Sequence, residues 1–149
     1  MVRYALYDSP IGAIRIGYED DSVMTICHAD CDFVHDPSPV SDLANMQLQE
    51  YFRGARRSFD FPCKPEGTPF QLVVWEALRG IPYGETRTYG QIAAAIGKPG
   101  AARAVGMACN RNPLWIVIPC HRVVGSNQSL TGYAGGLDMK RSLLALEKE

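Results

Sequence analysis

The chain has 149 residues, of which 46% are hydrophobic and 21% charged, and its formal net charge is −1. This composition excludes a disordered chain and fits one domain or two small lobes, while the near-neutral charge does not by itself indicate a nucleic-acid binder. The longest apolar run is too short to cross a membrane, the N-terminal residues lack the apolar stretch of a signal peptide, and the five cysteines are irregularly spaced, so we expect an intracellular protein with reduced thiols.

Residues 1–66 are predicted to form a lobe of strands and one helix. The segments "YALYD", "AIRIGYE" and "SVMTICHA" are predicted to be strands separated by turns, and Ile14 and Ile16 alternate with Arg15 and Gly17, as is typical of a half-buried strand. The proline-containing residues 30–41 predict a loop, and a helix follows from about Asp42 to Arg53 with Leu43, Met46 and Tyr51 facing inward. The next segment predicts a short strand and a linker, which places the lobe boundary near Glu66.

Residues 67–149 are predicted to be mainly helical. Thr68, Pro69 and Gln71 form a capping-box pattern, and apolar residues at positions 70, 73, 74, 77 and 78 then share one helical face. Thr88 and Gln91 repeat the capping pattern before a second helix with Ile92, Ala95 and Ile96 facing inward. A third helix covers 101–110, and a last one begins near 137.

The unit at about residues 88–110 consists of a helix, a short glycine-containing turn and a helix, which predicts a helix-turn-helix. Two helices that simply pack in a core fit the same pattern. Residues 77–127 carry six basic side chains and one acidic side chain, whereas residues 1–60 carry ten acidic and five basic ones. The basic segment indicates either a surface that faces a polyanion or an ordinary solvated face.

The second helix of this unit is rich in small residues, and Arg103 is its only long polar side chain. Because it has no Asn or Gln between Ala101 and Cys109 to read a base edge, it suits the minor groove better than sequence readout in the major groove. We therefore expect DNA contact that is largely independent of sequence and weakens with salt. The alternative is a helix that packs closely in a core, with Arg103 solvated.

The stretch "WIVIPCHRVVG" at 115–125 raises the question of whether Cys120 is a buried thiol or a nucleophile. The apolar run favours a buried thiol. Pro119 cannot donate to a strand ladder, so we expect a strand to end at the cysteine, where His121 and Arg122 would lower the pKa of the thiol. Adjacent strand residues face opposite ways, so a Cys–His pair requires a turn at Pro119–Cys120.

A third group should orient the histidine. Glu147 and Asp138 in the last helix are both available, and the sequence does not choose between them. The stretch "GYAGG" at 132–136 either lets backbone amides approach a substrate or forms an ordinary turn.

The block "IPCHRVVG", preceded by "RNP" and followed by "GYAGGL", resembles the O6-alkylguanine-DNA alkyltransferases (methylated-DNA–protein-cysteine methyltransferases). The resemblance covers about Thr68 to Glu147 and includes "GETRTYGQIAAAIGKPGAARAVG". It is weaker in the first lobe, where "DSPIGAIRIG" and "LQEYFRG" carry it. It implies a mixed α/β (α+β) protein with a small N-terminal ribonuclease-H-like sheet lobe and a C-terminal helical lobe with a winged-helix-like helix-turn-helix.

The resemblance implies DNA repair by direct reversal, in which the alkyl group of O6-alkylguanine, and of O4-alkylthymine as a further substrate, passes irreversibly to Cys120. A water between Cys120 and His121 would relay the proton, and Glu147 would orient His121. Asn112 would support this network, and Tyr89 would contact the flipped base and help to protonate it. Each chain would turn over once, without a cofactor.

The remaining expectations concern DNA and substrate contacts. The resemblance implies that Arg103 fills the space left in the base stack and that the main chain at Val123 and Ala134 binds the guanine edge. The residues expected to contact DNA are Arg103, Ala102, Ala104, Gly106, Ser126 and Tyr89, and those expected to line the substrate pocket are Val123, Tyr133, Ala134 and Trp115. The partner would be double-stranded DNA, bound in the minor groove by a monomer in a prokaryotic cytoplasm or a eukaryotic nucleus.

Two features depart from the family pattern. Trp115 replaces a small residue or proline and would exclude large adducts if it faces the alkyl pocket. Glu19 and Met24 cannot reproduce the zinc site of some members, and a different site would need cysteines and histidines of a non-standard spacing, namely Cys27, His28, Cys31, His35 and Cys63.

Three rival functions remain open. A lesion binder that does not remove the alkyl group would carry tryptophan in place of Cys120. A helix-turn-helix regulator would need base-reading side chains in its second helix, and a cysteine hydrolase would turn over repeatedly.

Overall fold

The computed structural model describes residues 1–29, 34–130, 132–133 and 135–148, and the chain divides into two compact units, Met1–Glu66 and Gly67–Glu149. In the described part, no helix is long and apolar enough to span a membrane.

The first unit is built on an antiparallel sheet with strands in the order β1 (Arg3–Tyr7), β2 (Ile14–Glu19) and β3 (Ser22–His28). The pleat turns Ile14 and Ile16 to the buried side, as their alternation predicts. Helix α1 (Pro39–Phe52) packs on β2 and β3 and adds Leu48 and Tyr51 to the core.

Helix α1 begins three residues earlier than the sequence predicts. Ser38 is its N-cap, and Pro39 occupies the first helical position, where the missing N–H costs no hydrogen bond. Met46, predicted to face inward, is 49% exposed. The short strand predicted before the boundary is reduced to a single bridge between Val23 and Cys63.

The second unit contains four helices among its described residues: α2 (Pro69–Arg79), α3 (Tyr89–Ala95), α4 (Ala102–Asn110) and α5 (Leu137–Glu147). Helices α2, α3 and α4 contact one another, and the short strands β4 (Arg87–Thr88) and β5 (Val123–Val124) pair in parallel. The core of this unit includes Val74, Leu78, Val105, Leu114 and Ile118.

Both predicted capping boxes are confirmed, at Thr68 with Gln71 and at Thr88 with Gln91. The inward faces are partly different from those predicted. Val73 is 49% exposed, while Trp75 is buried and donates its indole N–H to the carbonyl of Ala108 at 2.9 Å.

Helices α3 and α4 lie at the positions predicted for the helix-turn-helix, joined by residues 96–101. Gly97 turns the chain with a φ of 77°, in the left-handed region that glycine adopts without strain. The turn thus brings two short helices into contact, and the second of them, α4, is rich in small side chains.

The strand predicted to end at Cys120 does not form. Residues 114–118 make a tight buried turn closed by hydrogen bonds from Val117 to Trp115 and from Ile118 to Leu114. The apolar run is therefore buried because it folds back on itself, and a 3-10 turn, Cys120–Arg122, follows it directly.

Candidate active site

Cys120 lies at the start of the 3-10 turn, with its amide donating to the carbonyl of Ile118 at 2.8 Å. The turn supplies the change of direction that a Cys–His pair requires. Cys120, His121 and Arg122 are all buried.

His121 is hydrogen-bonded to Glu147 of α5, with 2.6 Å between Nε2 and Oε2. Asp138, the alternative in the sequence, is fully exposed and pairs with Arg141. Because a carboxylate accepts, Nε2 carries the proton and Nδ1 of a neutral imidazole keeps its lone pair. Nδ1 is buried and has no hydrogen-bond partner among the described residues, so it is available as a base.

The charge state of His121 is set mainly by its burial, which lowers the pKa of the imidazole. Glu147 raises this pKa, whereas the cations Arg122 and Lys140 lower it. The net effect favours a neutral ring that can accept a proton.

The Glu147 carboxylate is also held by Arg122 and by the backbone of Gly84. Arg122 donates from Nε to Oε1 at 2.8 Å and from Nη2 to Oε2 at 3.0 Å, and Gly84 N–H donates to Oε1 at 3.2 Å. Arg122 also donates to the carbonyl of Ile81 at 2.7 Å. This role was not predicted from the sequence, although a cation inside a buried stretch indicates a nearby carboxylate.

The Cys120 thiol does not have the lowered pKa expected from its neighbours in sequence. Burial raises its pKa well above the ordinary value, and contact with the Cys109 side chain raises it further. Asn112 and Lys140 act in the opposite direction without cancelling the effect of burial. The resting thiol is therefore protonated, and a nucleophilic role requires a base.

Asn112 holds the two segments around Cys120 together. Its side-chain amide donates to the carbonyl of Ile118 at 2.8 Å, and its side-chain oxygen accepts from the amide of Leu114 at 2.9 Å. Its own backbone N–H donates to Cys109. It thus fixes the buried turn that precedes the cysteine.

Lys140 is a fully buried cation whose burial was not predicted from the sequence. Its Nζ donates to the carbonyl of Val123 at 2.6 Å and to that of Gly132 at 3.3 Å, and lies 5.8 Å from the centre of the Tyr89 ring. It links β5 to the glycine-rich segment. A lysine at a core-facing position of a C-terminal helix was the available signal.

Two aromatic rings, Trp115 and Tyr133, lie close to each other. The rings of Trp115 and Tyr133 are 6.3 Å apart, and a Cβ at Gly135 would come within 3.2 Å of Trp115. The Tyr133 hydroxyl is buried without a hydrogen-bond partner among the described residues, and burial raises its pKa strongly. Ala134, predicted to bind substrate, lies outside the described residues.

Several residues predicted to contact DNA share one concave surface of about 500 Å³, which is lined by Tyr89, Ala102, Arg103, Gly106, Met107, Asn110 and Gly132. Ala104 lines a neighbouring concavity with Met107 and Arg111. Ser126 is exposed just after β5. The structure thus groups four of the predicted residues and places Ala104 and Ser126 elsewhere.

The metal site considered for the first unit does not assemble in the described part of the chain, where no three metal-ligating side chains cluster. Cys31, one of its candidate ligands, lies outside the described residues.

The family model and the relative that match this chain both belong to the methylguanine-DNA methyltransferases. Residues 69–149 match the family model "6-O-methylguanine DNA methyltransferase, DNA binding domain". The chain is 48% identical to the methylated-DNA–protein-cysteine methyltransferase of Methanosarcina acetivorans, over 97% of each.

Two Mycobacterium tuberculosis crystal structures are similar to the whole chain. The O6-methylguanine methyltransferase is 46% identical, with a TM-score of 0.91, and the alignment covers 99% of this chain and 93% of that one. The OGT in complex with DNA is 46% identical, with a TM-score of 0.89, over 97% and 92% of the two chains. These matches confirm the predicted mixed α/β fold class.

Proposed function

The chain belongs to the methylated-DNA–protein-cysteine methyltransferase family, as its motifs indicated, and we propose that it repairs DNA by moving the alkyl group of O6-alkylguanine onto Cys120. The Cys120 sulfur forms a bond to the alkyl carbon while the bond from that carbon to guanine O6 breaks. Guanine leaves with the electron pair and takes up a proton. Because a thioether is not readily hydrolysed, each chain acts once, and the step needs no cofactor.

The observation that supports this proposal best is the state of His121. Its Nε2–H is committed to Glu147, and its buried Nδ1 has no described partner. A protonated thiol with a raised pKa needs such a base before it can attack carbon. His121 would take the thiol proton, directly or through a water, as the alkyl group transfers.

The alkylated guanine must leave the duplex to reach Cys120, whose side chain is buried and only 3% exposed. Arg103 on α4 would enter the duplex in its place, and Ala102, Ala104 and Gly106 would let α4 approach the minor groove closely. Ser126 would contact the backbone beside the lesion. Tyr89 lines the concave surface that carries Arg103, where it would meet the flipped base and help to protonate it.

The extruded guanine would lie between β5 and the glycine-rich segment. The Val123 carbonyl, already bound by Lys140 through one lone pair, has a second lone pair for the guanine edge. Ala134 would supply the matching amide, while Tyr133 and Trp115 would form the wall beside the alkyl group. Asn112 would keep the Cys120 turn in place.

Intact-protein and peptide mass spectrometry after incubation with duplex DNA containing O6-methylguanine tests the proposal. We expect one added methyl per chain on the Cys120 peptide and none in Cys120→Ala. Cys109→Ala should still accept the methyl. An adduct on Cys109, or none in the wild type, contradicts the proposal.

The same reaction separates the rival functions. A lesion binder would retain the DNA without gaining mass, and a hydrolase would consume many equivalents. We expect transfer to stop at one equivalent, from DNA bound by a monomer.

A further inference from the structure

Arg122 is a buried cation whose contacts go to Glu147 rather than to solvent. Its guanidinium donates hydrogen bonds to both carboxylate oxygens of Glu147, at 2.8 and 3.0 Å. Its third nitrogen, Nη1, donates to the carbonyl of Ile81. The Tyr83 ring lies 5.6 Å from the guanidinium carbon. This two-point grip, characteristic of arginine, neutralises Glu147 inside the protein.

The neutralisation matters because Glu147 also holds His121. A buried carboxylate with a single imidazole partner attracts a proton onto the ring and yields an ion pair. With the guanidinium already balancing the carboxylate, a proton on His121 would create a net positive charge in a buried site. The three groups together therefore favour a neutral ring.

The other titratable groups near Cys120, His121 and Glu147 do not reverse this balance. Lys140 comes from the same helix as Glu147 and adds positive charge. Cys120 is protonated at rest, and Tyr133, from the segment before α5, stays protonated because burial raises its pKa strongly. Glu147 is thus the anion that acts on His121, and Arg122 is its counter-ion.

We propose that Arg122 is a positioning residue of the transfer reaction: by neutralising Glu147, it keeps His121 uncharged and leaves Nδ1 free to receive the Cys120 proton. The inference rests on the proposed function, because the proton in question is the one that Cys120 loses as it attacks the alkyl carbon. During the step the proton moves from sulfur to Nδ1, the sulfur bonds to the alkyl carbon, and the bond from that carbon to guanine O6 breaks, so that guanine leaves with the electron pair. The resulting imidazolium keeps its Nε2 hydrogen bond to Glu147.

The first test is the pH dependence of the single-turnover rate in wild type, Arg122→Gln and Arg122→Lys, with the exposed Arg141→Gln as control. Removing the guanidinium lets the carboxylate draw a proton onto the His121–Glu147 pair, so the pKa of His121 rises. Below the raised pKa the base is already occupied. The acid limb of the Arg122→Gln profile should move up by about one to two pH units.

Arg122→Lys restores the charge without the two-point grip, so its acid limb should return to within about half a unit of wild type. A merely structural Arg122 would lower stability and rate at every pH without moving the limb. That outcome overturns the inference, as does a shift of equal size in Arg141→Gln.

The second test does not depend on alkyl transfer or on a stable variant. The chain has three histidines, and ¹⁵N NMR of histidine-labelled wild type reports their tautomers and charge. We expect His121 to remain neutral with the proton on Nε2 from about pH 6 to about pH 8. An imidazolium at neutral pH overturns the inference even if Arg122→Gln does not fold.

The two tests also separate this inference from the proposed function. Wild type that shows neutral His121 by NMR but transfers no methyl group contradicts the proposed function and leaves the role of Arg122 in setting the histidine charge intact. Wild type that transfers methyl with an unshifted Arg122→Gln profile contradicts only the role of Arg122.

Discussion

Trp115 lies beside Tyr133. In the proposed function these rings form the wall beside the alkyl group, so a small side chain at position 115 would leave room for a larger alkyl group. We expect Trp115→Ala to raise the transfer rate from O6-benzylguanine in DNA at least about tenfold relative to that from O6-methylguanine. Replacing a fully buried tryptophan by alanine lowers the free energy of unfolding by about 3–5 kcal/mol. Because the Trp115 indole is only partly buried, we expect a smaller decrease of roughly 1–3 kcal/mol.

The measurement is the ratio of the two single-turnover rates. Trp75→Phe is the control, since Trp75 is buried in the core and donates to Ala108. It should lower stability without changing the ratio. An unchanged ratio in Trp115→Ala would mean that the indole does not limit the acceptor pocket.

Contact with Cys109 adds to the effect of burial in raising the pKa of the Cys120 thiol. Since contact with Cys109 raises the pKa of Cys120, Cys109→Ala should lower that pKa, although burial will keep it above the ordinary value. The pH midpoint of Cys120 methylation by iodomethane, without DNA, should therefore fall. Cys63→Ala, in the first unit, should leave it in place, and an upward shift in Cys109→Ala would refute the argument.

Individual residues were only partly predictable from the sequence. The resemblance assigned the histidine partner to Glu147, but the residues alone left Asp138 open, because only the folded helix shows which carboxylate faces inward. The thiol pKa was predicted in the wrong direction, because neighbours in sequence are visible and burial is not. For the same reason, Arg122 was predicted to act on the thiol and not to pair with Glu147, and the burial of Lys140 was not predicted.

Whole elements were more predictable when their ends carried a chemical signal. The Thr–Gln pairs that begin α2 and α3 satisfy backbone amides locally, so they could be located from four residues each. Residues 114–118 carry no such signal. A short apolar run fits a buried strand and a buried turn equally well, and Asn112 makes it a turn here.

Helix α4 contains Gly106, which lines the same concave surface as Tyr89 and Arg103. A Cβ at Gly106 would lie 3.7 Å from the Tyr89 ring, an ordinary contact, so alanine fits. Gly106→Ala should raise the free energy of unfolding by up to about 1 kcal/mol, because glycine is a poor helix former. DNA affinity should change little.

Gly106→Leu tests the proposed close approach of α4 to DNA. Its larger side chain projects beside Tyr89 into the concave surface, so DNA affinity should fall at least about tenfold while the helix remains folded. Circular dichroism and a fluorescence titration with duplex DNA separate the two effects. Equal affinity for the leucine and alanine variants would show that DNA does not contact this face.

At the scale of the molecule, the charge is unevenly distributed. The acidic first 60 residues and the basic residues 77–127 nearly cancel in the total. The structure reduces the basic count that is available to a partner, because Arg122 is buried on Glu147. Arg79, Lys98, Arg103 and Arg111 remain exposed. The net charge of the whole chain therefore hides the positive charge of the second unit. The number of basic residues in 77–127 in turn exceeds the number whose side chains can reach a phosphate.

Three of these cations lie on or next to α4 and set the expected salt dependence: Lys98 in the turn before it, Arg103 on it and Arg111 just after it. If each neutralises one phosphate, the logarithm of the association constant should fall with the logarithm of salt concentration with a slope near −2.7. Affinity would then drop about 40-fold between 50 and 200 mM salt. Arg111→Gln should reduce the slope by about one, whereas the exposed Arg53→Gln of the first unit should not alter it.

Because this surface carries few base-reading groups, unmodified duplexes of different sequence should give the same slope. A flat salt response, or a sequence-dependent slope, would contradict binding through these cations.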